Sequence, residues 1–286
     1  MLKTAPFKIF LAAATLLGTS TIGLATSAGS AMAADKLEVR YDLITSGIRA
    51  FALDYGTVIE KDNFKARAKL RPKGLASLFV DLKMDMSSSG SITPKGTRSS
   101  SFSMDVVEKG RKGKYNVSFK GLKPVASQRQ PGPDSETEAK LNDEAAKGAR
   151  DTLASIMDIA VTTSANPCDS SYRIYNGKEV FKLDLAKIKD DQFNNKDGGV
   201  YRGPAIVCSM TYSTLAGLSA KTQAKYAKNP PKFKVWFAPV ESPTLGRNIN
   251  VLVAVTGKIK GKDFVAYANK ATLGGKPLNA QSVASK

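Results

Sequence analysis

The amino-acid sequence predicts a mainly β protein built from antiparallel strands, with one or two short helices packed against the sheet. Apolar residues alternate with polar ones through much of the chain, as in residues 37–45, which is the pattern of strands with one buried face. These runs follow one another at short spacing, separated by glycine, Asp-Asn or Pro-Lys-Gly turns, as a meander requires. Helical and strand patterns do not alternate, so a parallel α/β sheet is not expected.

The first 33 residues are expected to be a secretory signal peptide. Lys3 and Lys8 form a basic start, an apolar run follows over residues 9–17, and Ala31-Met32-Ala33 matches a cleavage motif with the cut after Ala33. The apolar run is short for a bilayer span, so a membrane anchor is the less favoured alternative. We therefore expect a periplasmic protein without a transmembrane anchor after cleavage, in which residues 34–286 form a single β-rich domain.

The N-terminal half of that domain, residues 34–122, is predicted to supply many strands of the sheet. Alternating runs are found at residues 37–45, 51–55, 64–70, 75–82, 102–106 and 115–119. Between two of these runs, residues 87–101 are rich in serine and glycine, and we expect a long exposed hairpin loop there.

Residues 123–165 are predicted to form a proline-rich connector, over residues 123–134, followed by a helix. Ser135-Glu136-Thr137-Glu138 matches a capping box. The helix is expected within residues 138–159, with a break near Gly148 and with Asp151 capping the second piece. Its apolar side has helical spacing and should pack on one face or end of the sheet. That side consists of Leu153, Ile156, Met157, Ala160 and Val161.

The C-terminal half, residues 166–273, contains the only two cysteines of the sequence, Cys168 and Cys208. In an exported protein such a pair predicts a disulfide, and two reduced buried thiols are the alternative. Asn176-Gly177 lies between two alternating runs and predicts a hairpin in which both turn residues have positive φ. The disulfide would then join this hairpin to the next strand, residues 201–212.

The remaining C-terminal segments are predicted from local patterns. Residues 190–199 should be a polar loop, residues 214–229 a loop or a short helix, and residues 233–237 and 249–255 strands, with a last hairpin after Gly257. Pro230-Pro231 and Pro239 flank the first of these strands, which favours a position at the edge of the sheet. Residues 274–286 are expected to be a frayed tail.

Histidine is absent from the sequence. This excludes Ser-His-Asp and Cys-His hydrolysis and the usual zinc ligand sets. Neither of the glycine-rich phosphate-binding motifs is present. Neighbouring carboxylates such as Asp190 and Asp191 could serve a glycosidase, although a solvated turn is the simpler interpretation. We therefore expect no enzyme activity, no catalytic residue, no cofactor and no metal.

Basic residues exceed acidic ones, and the formal net charge is +18. Lysines and arginines cluster at residues 109–114, 221–234 and 258–262. These clusters are either solubilising strand faces or sites that attract anionic envelope material, such as lipid headgroups, lipopolysaccharide or acidic wall polymers. Nucleic acid is not an expected partner of an exported protein. Tyr212, Trp236 and Phe237 are our candidates for binding an apolar ligand, and the adjacent Trp236 and Phe237 should point to opposite faces of a strand.

The order of several short motifs resembles that of a known family. The motifs are Asp151-Thr152-Leu153-Ala154-Ser155, Tyr175-Asn176-Gly177-Lys178, Gly203-Pro204-Ala205, Leu215-Ala216-Gly217-Leu218, Trp236-Phe237-Ala238-Pro239 and Pro243-Thr244-Leu245-Gly246. In this order the chain resembles the exported proteobacterial family called domain of unknown function 3108. The resemblance implies a β-rich envelope protein whose curved antiparallel sheet forms an incompletely closed β-barrel or spiral, and it supplies no activity.

Three functions are carried forward as expectations. The first is a non-enzymatic periplasmic protein that binds an apolar or anionic amphipathic envelope ligand on a concave surface and supports the integrity of the cell envelope. The second is a structural or protein-interaction module whose edge strands bind an envelope protein. The third is a carboxylate-based hydrolase. A cavity with basic residues at its mouth would favour the first, a filled core with exposed edges the second, and two facing carboxylates the third.

Overall fold

The structure is a computed structural model, and it describes residues 34–74, 76–162, 166–194, 199–259 and 261–278. Contacts divide the chain into two units, Met1–Ala31 and Met32–Lys286, and all described residues belong to the second. The predicted signal peptide, residues 1–33, lies outside the described residues. Among the residues that are described, no helix is long and apolar enough to span a membrane.

All described strands belong to one antiparallel sheet. In chain order they are β1 (Asp35–Thr45), β2 (Ile48–Ile59), β3 (Asn63–Pro72), β4 (Leu82–Thr93), β5 (Gly96–Glu108), β6 (Arg111–Lys120), β7 (Lys123–Gln130), β8 (Ser170–Tyr175), β9 (Val180–Asn194), β10 (Arg202–Ala216), β11 (Lys232–Ser242), β12 (Arg247–Ile259), β13 (Lys262–Leu273) and β14 (Lys276–Pro277). The helices are α1 (Ala76–Phe79), α2 (Ser135–Ala146), α3 (Thr152–Val161) and α4 (Ala220–Lys228). The prediction of a mainly β protein is confirmed.

The first strand and the last long strand meet in the middle of the sheet. From edge to edge the order is β7-β6-β5-β4-β3-β2-β1-β13-β12-β11-β10-β9-β8, and β14 pairs with β13. Leu37 of β1 is thus paired with Thr57 on one side and with Leu273 on the other. β7 and β8 are the two edges, and within the described residues no ladder joins them. The sheet is an incompletely closed barrel, as expected.

Helix α3 lies on the inner side of the curved sheet. It contacts β3, β4 and β5 from one half of the sheet and β8 and β12 from the other, so the sheet must curve around it. Leu153, Ala154 and Met157 are completely buried. The helix begins after Asp151, whose carboxylate accepts the N–H groups of Leu153 and Ala154 at 2.9 Å each. This cap satisfies donors that a helix start leaves free, and it confirms the predicted break.

The backbone between α2 and α3 bridges the two edges of the sheet. Ala149 donates its N–H to the carbonyl of Leu122, in the turn between β6 and β7, at 2.7 Å. Arg150 donates to the carbonyl of Arg173 in β8 at 3.0 Å and accepts the N–H of Tyr175 at 2.8 Å. A single short segment therefore takes the place of a β7–β8 ladder.

Arg129 of β7 completes this closure with its side chain. Its Nε donates to Tyr175 Oη at 3.0 Å and to the carbonyl of Gly177 at 3.1 Å. Its terminal nitrogens donate to Glu138 Oε1 at 2.6 Å and to Asn142 Oδ1 at 2.9 Å. Only 5% of the Arg129 side chain is exposed, so these partners replace the water that the guanidinium loses. We call this group the Arg129 clasp.

Cys168 and Cys208 form the predicted disulfide, with Cα atoms 5.7 Å apart. It joins the chain just before β8 to β10 across the intervening β9. The β8–β9 hairpin at Asn176-Gly177 is confirmed, but its turn is wider than predicted. Asn176 to Glu179 form a four-residue turn in which Asn176 Oδ1 accepts the N–H of Lys178 at 2.9 Å and of Glu179 at 2.8 Å. Gly177 has a φ of 83°, whereas Asn176 does not need a positive φ because its side chain closes the turn.

Residues 87–101 are not the exposed loop that their serine content predicts. They belong to β4 and β5, which pair as far as Thr93 and Gly96. The hydroxyls of Ser87 and Ser103 share a hydrogen bond at 2.8 Å across the strands. Ser88 donates to Asp151 Oδ2 at 2.9 Å. Serine is polar enough to suggest a loop, yet here its hydroxyls make cross-strand bonds.

Three further predictions in the first half are corrected. Residues 123–130 of the predicted connector form β7, because they complete the edge of the sheet beside β6. The predicted strand at residues 75–82 is wrong: Ala76–Phe79 form α1, where the N–H of Val80 is bonded to the carbonyl of Ala76 at 2.8 Å, and β4 begins only at Leu82. Asp134, and not Ser135, caps α2, because its carboxylate accepts the N–H of Thr137 at 2.8 Å.

The second half also differs from prediction in its details. β9 extends into the predicted polar loop as far as Asn194, and residues 195–198 of that loop lie outside the described residues. β10 continues to Ala216, and α4 occupies part of residues 214–229. β11 is internal, between β10 and β12. Pro239 is tolerated because β10 pairs only with residues 232–237 of β11, so no neighbour on that side needs its missing N–H. In the predicted frayed tail, β14 pairs with β13 and Leu278 is buried, while residues 279–286 lie outside the described residues.

Candidate ligand-binding site

One end of the sheet carries much of the basic charge. In a meander alternate turns lie at the same end, and Ser46, in the β1–β2 turn, donates its N–H to the carbonyl of Asp263, next to the β12–β13 turn, at 3.1 Å. By the same alternation α1, the β5–β6 turn and α4 lie at this end. We call it the lysine rim. Its basic residues include Arg49, Lys73, Lys83, Lys109, Arg111, Lys112, Lys178, Lys221, Lys225, Lys228, Lys232, Lys258 and Lys262.

A cleft with a volume of about 940 Å³ lies at the lysine rim, among α4, the loop after it and the adjoining ends of β11, β12 and β13. This volume is in the range of about 300–1,000 Å³ that is usual for small-molecule sites. We call it the rim cleft. Its larger apolar residues are Ile188, Tyr226, Pro230, Pro231, Phe233, Phe264 and Val265, and its basic residues are Lys225, Lys232, Lys234 and Lys258.

Strand register explains how the apolar and basic residues come together. Phe233, Gly257 and Phe264 are direct partners across β11, β12 and β13, and the two phenyl rings lie 6.2 Å apart over the glycine. A Cβ at Gly257 would lie 2.6 Å from the Phe233 ring, so the glycine makes room for this contact. Lys234 is one residue further and points to the other face. The cleft therefore reaches around the end of the sheet.

The cleft is electrostatically positive. Asp263 is the carboxylate in its lining, and it lies 3.8 Å from the amine of Lys258. Lys225, Lys232 and Lys234 form no salt bridge within the described part of the chain. Lysine amines beside apolar residues at the end of the sheet suit a molecule with an anionic head and an apolar body.

Helix α4 is held over the cleft through two tyrosines and a buried carboxyl. The ring of Tyr226 in α4 packs edge-on against Tyr212, with centroids 5.8 Å apart. Tyr212 Oη donates to Glu179 Oε2 at 3.0 Å. Burial raises the pKa of Glu179 above its ordinary value and also raises the pKa of the Tyr212 phenol. One wall of the cleft thus depends on a carboxyl buried behind it.

The three aromatic residues predicted to bind a ligand do not share one cavity. Tyr212 lies behind the cleft and contacts its lining through Tyr226. Phe237 is 4% exposed and packs in a core cluster with Cys208. Trp236 packs against the other core cluster, and its ring lies 6.1 Å from that of Phe193.

The aromatic residues of the rim cleft were not among the predicted site residues. Tyr226 and Phe233 lie within the lysine cluster at residues 221–234, and Phe264 lies just after the cluster at residues 258–262. The signal that could have found them is an aromatic residue next to such a cluster at the end of a strand. Knowing that β11, β12 and β13 are neighbours is also necessary.

The inner side of the sheet is not the open concave surface that was expected, because α3 occupies part of it. Asp151 at the start of α3 is buried, and its pKa is raised by that burial, although its hydrogen bonds with Ser99, Ala154 and Ser88 act in the opposite sense. Its contacts are those of a helix cap. Among the described residues, no group of three or more His, Cys, Asp and Glu side chains could hold a metal ion.

Comparison with models of known protein families identifies the family of this chain. Residues 37–261 match the model of a family described as protein of unknown function, DUF3108. The chain belongs to the DUF3108 family. The resemblance seen in the order of the sequence motifs is confirmed, and the DUF3108 match covers every strand from β2 to β12.

Solved structures similar to this DUF3108 protein are distant in sequence. One is a β-barrel-like protein of domain of unknown function DUF1849 from Brucella abortus, with 9% identity, a TM-score of 0.44, and coverage of 85% of this chain and 98% of that one. Another is a candidate lipoprotein from Parabacteroides distasonis, with 11% identity, a TM-score of 0.30, and coverage of 84% of this chain and 96% of that one. A search of curated proteins finds none that matches this sequence.

Proposed function

We propose that this protein is a non-enzymatic component of the periplasm that binds an anionic amphipathic molecule of the cell envelope in the rim cleft. The observation that carries the proposal is the composition of that cleft, in which Tyr226, Phe233 and Phe264 form an apolar surface beside four lysines. The ligand class is a lipid or lipopolysaccharide component with a phosphate or carboxylate head. Holding such molecules would support the integrity of the envelope.

Export is part of the proposal. The disulfide between Cys168 and Cys208 fits an oxidising compartment, and the sequence predicts a signal peptide cleaved after Ala33. Both features agree with an envelope ligand. The rim cleft replaces the interior of the barrel as the binding site, since α3 fills part of that interior.

Titration with two soluble amphiphiles of equal chain length tests the proposal. Dodecyl phosphate should bind in the cleft, and uncharged dodecyl maltoside should bind at least about tenfold more weakly, because it lacks the charge that the lysines attract. The variant Lys232→Glu/Lys258→Glu should lose this preference. The variant Lys61→Glu/Lys95→Glu changes two exposed lysines at the opposite end of the sheet and should keep it.

Equal binding of the two amphiphiles would contradict a specific anionic site. An equal loss of the preference for dodecyl phosphate in both double variants would contradict it as well. Native mass spectrometry of protein purified from its own periplasm then identifies the natural ligand. A co-purified anionic lipid supports the proposal, and repeated absence of any small ligand counts against it.

A protein-interaction module is the second candidate, and one observation favours it. β7 is an edge of the sheet, and its Val125 is 63% exposed, so part of this edge could pair with a strand of an envelope protein. In the same native spectra, a protein bound at fixed stoichiometry without any lipid would support this alternative.

A further inference from the structure

Three large apolar side chains are exposed at the lysine rim. Ile48 at the start of β2 is 59% exposed, and Leu78 and Phe79 of α1 are 73% and 86% exposed. They lie on neighbouring segments, because α1 contacts β2 and the N–H of Lys73 is bonded to the carbonyl of Ala50 at 2.9 Å. Scattered exposed apolar residues are common in proteins, but a group at one end of a molecule indicates an interaction surface.

The same end carries positive charge that no internal partner neutralises. Three exposed carboxylates of the turns here have lysine partners, in the pairs Asp81–Lys83, Glu108–Lys178 and Asp263–Lys258, at N–O distances of 3.7, 3.9 and 3.8 Å. The start of α2 adds two more carboxylates at this end: Asp134 accepts the N–H of Thr137 in its own helix, and Glu136 pairs with Lys140. Other lysines of this end form no salt bridge within the described residues. They are Lys73, Lys109, Lys112, Lys221, Lys225, Lys228, Lys232 and Lys262.

The arrangement defines the chemistry of the partner. Ile48, Leu78 and Phe79 need an apolar medium, and the lysines beside them need a layer of negative charge at the same level. An anionic bilayer offers both, with phosphates at its surface and acyl chains directly beneath. The lysines extend from the β5–β6 turn to α4 along the whole rim, which suits a broad surface better than a single peptide groove.

We propose that the lysine rim docks on an anionic phospholipid bilayer, with Ile48, Leu78 and Phe79 inserted below the headgroups and the lysines against the lipid phosphates. In this orientation the rim cleft opens toward the bilayer. Docking does not require a ligand in the cleft, so the proposal goes beyond the amphiphile-binding function and has its own test.

Co-sedimentation with vesicles measures docking directly. The full mature chain should bind vesicles of phosphatidylglycerol in phosphatidylcholine and should not bind vesicles of phosphatidylcholine alone. The variant Leu78→Ser/Phe79→Ser should weaken binding by about tenfold or more, because two large apolar side chains no longer leave water. Val125→Ser is the matched control, since Val125 is 63% exposed but lies on edge strand β7, and it should bind like the wild type.

The contribution of charge has its own pair of variants. Lys225→Glu/Lys228→Glu should weaken binding by on the order of fivefold for each lysine removed, with a further loss from the new negative charge. Added salt should weaken the binding of the wild type. Lys61→Glu/Lys95→Glu, at the opposite end of the sheet, should have little effect.

Insertion is measured with a tryptophan placed at the tip of α1. The protein has one native tryptophan, Trp236, which is half-buried in the sheet, so the wild type is the blank. In the variant Phe79→Trp, lipids brominated on their acyl chains should quench the added fluorescence on docking, whereas the signal of the wild type should not change.

Each alternative outcome overturns part of the proposal. Binding without quenching, or undiminished binding of Leu78→Ser/Phe79→Ser, would show an electrostatic contact without insertion. Failure of the wild type to bind anionic vesicles at low salt would refute docking. A folded envelope protein that binds this rim in place of vesicles would refute the choice of partner. Dodecyl phosphate binding is measured separately in Leu78→Ser/Phe79→Ser, so loss of docking and loss of the cleft are distinguishable.

Discussion

The Arg129 clasp should contribute more to stability than any exposed ion pair of this protein. Replacement of Arg129 by methionine keeps much of the apolar stem and removes the guanidinium. Tyr175, which is completely buried, and the carbonyl of Gly177 each lose a charged donor. Hydrogen bonds to charged groups contribute about 1.5–3 kcal/mol each, and orphaned buried partners add to the cost. We expect Arg129→Met to lower the free energy of unfolding by about 3 kcal/mol or more.

Urea unfolding followed by circular dichroism measures this loss. With a slope of about 1–3 kcal/mol per molar urea, the midpoint should fall by about 1 M or more. Glu138→Gln is the control, because Glu138 is 49% exposed and its ion pair should contribute less than about 1 kcal/mol. Hydrogen exchange locates the effect, since the amides of β7 and β8 should lose protection before those of β1 and β13.

Two results would refute this reasoning. If Arg129→Met and Glu138→Gln shift the midpoint equally, the buried hydrogen bonds of the clasp add nothing to the surface ion pair. If the variant is destabilised but β7 and β8 exchange no faster than the middle of the sheet, Arg129 does not close the edges.

Three other predictions concern the second half of the sheet. Replacing both Cys168 and Cys208 by alanine should lower the free energy of unfolding by roughly 4 kcal/mol, from the chain-entropy model for a loop of this length, and a urea midpoint equal to that of the wild type would contradict it. Gly177→Ala should lower the free energy of unfolding by about 2–3 kcal/mol, because the new Cβ would lie 2.9 Å from the Cβ of Tyr115. Gly47→Ala is the control: Gly47 has a similar φ of 78° but nothing within 4 Å of the new Cβ, so this change should cost only about 1 kcal/mol. Burial raises the pKa of Glu179, so its contribution to stability is present below the unfolded pKa near 4.5 and is lost as the pH rises through the folded pKa. Over this pH range the urea midpoint should fall less in Glu179→Gln than in the wild type. Parallel plots of midpoint against pH for the two proteins would exclude Glu179 as the cause of the loss.

The strands were predictable wherever one face of the sheet is apolar. In β1, Leu37, Val39 and Tyr41 alternate with exposed charges, and this period of two survives in the sequence. The serine-rich residues 87–101 of β4 and β5 were wrongly predicted as a loop, because their pairing depends partly on hydroxyl groups, which leave no hydrophobic pattern. The disulfide was predictable because the chain offers one pair of cysteines and an exported context.

The rim cleft could not be predicted, because it depends on register between strands. Phe233 and Phe264 meet over Gly257 only when β11, β12 and β13 are placed side by side, and local sequence does not specify strand neighbours. The position of α3 was equally hidden. Its apolar pattern predicts a helix, but not where the helix packs. That position depends on contacts with strands that precede it in the chain, such as β3, and with strands that follow it, such as β12.

The pairing of β1 with β13 has a consequence for how the chain folds. Thr45 pairs with Phe264, and Leu37 with Leu273, so during synthesis one hydrogen-bonding side of β1 stays unpaired until β13 has been made. The strands from β1 to β7 can pair in order, as can those from β8 to β13, and each group would then have an edge strand with unpaired backbone groups. Such edge strands can pair with the wrong partners. We expect newly made protein to depend on a chaperone that covers β1 until β13 arrives, and a chain ended before β13 to aggregate even though most of its strands are present.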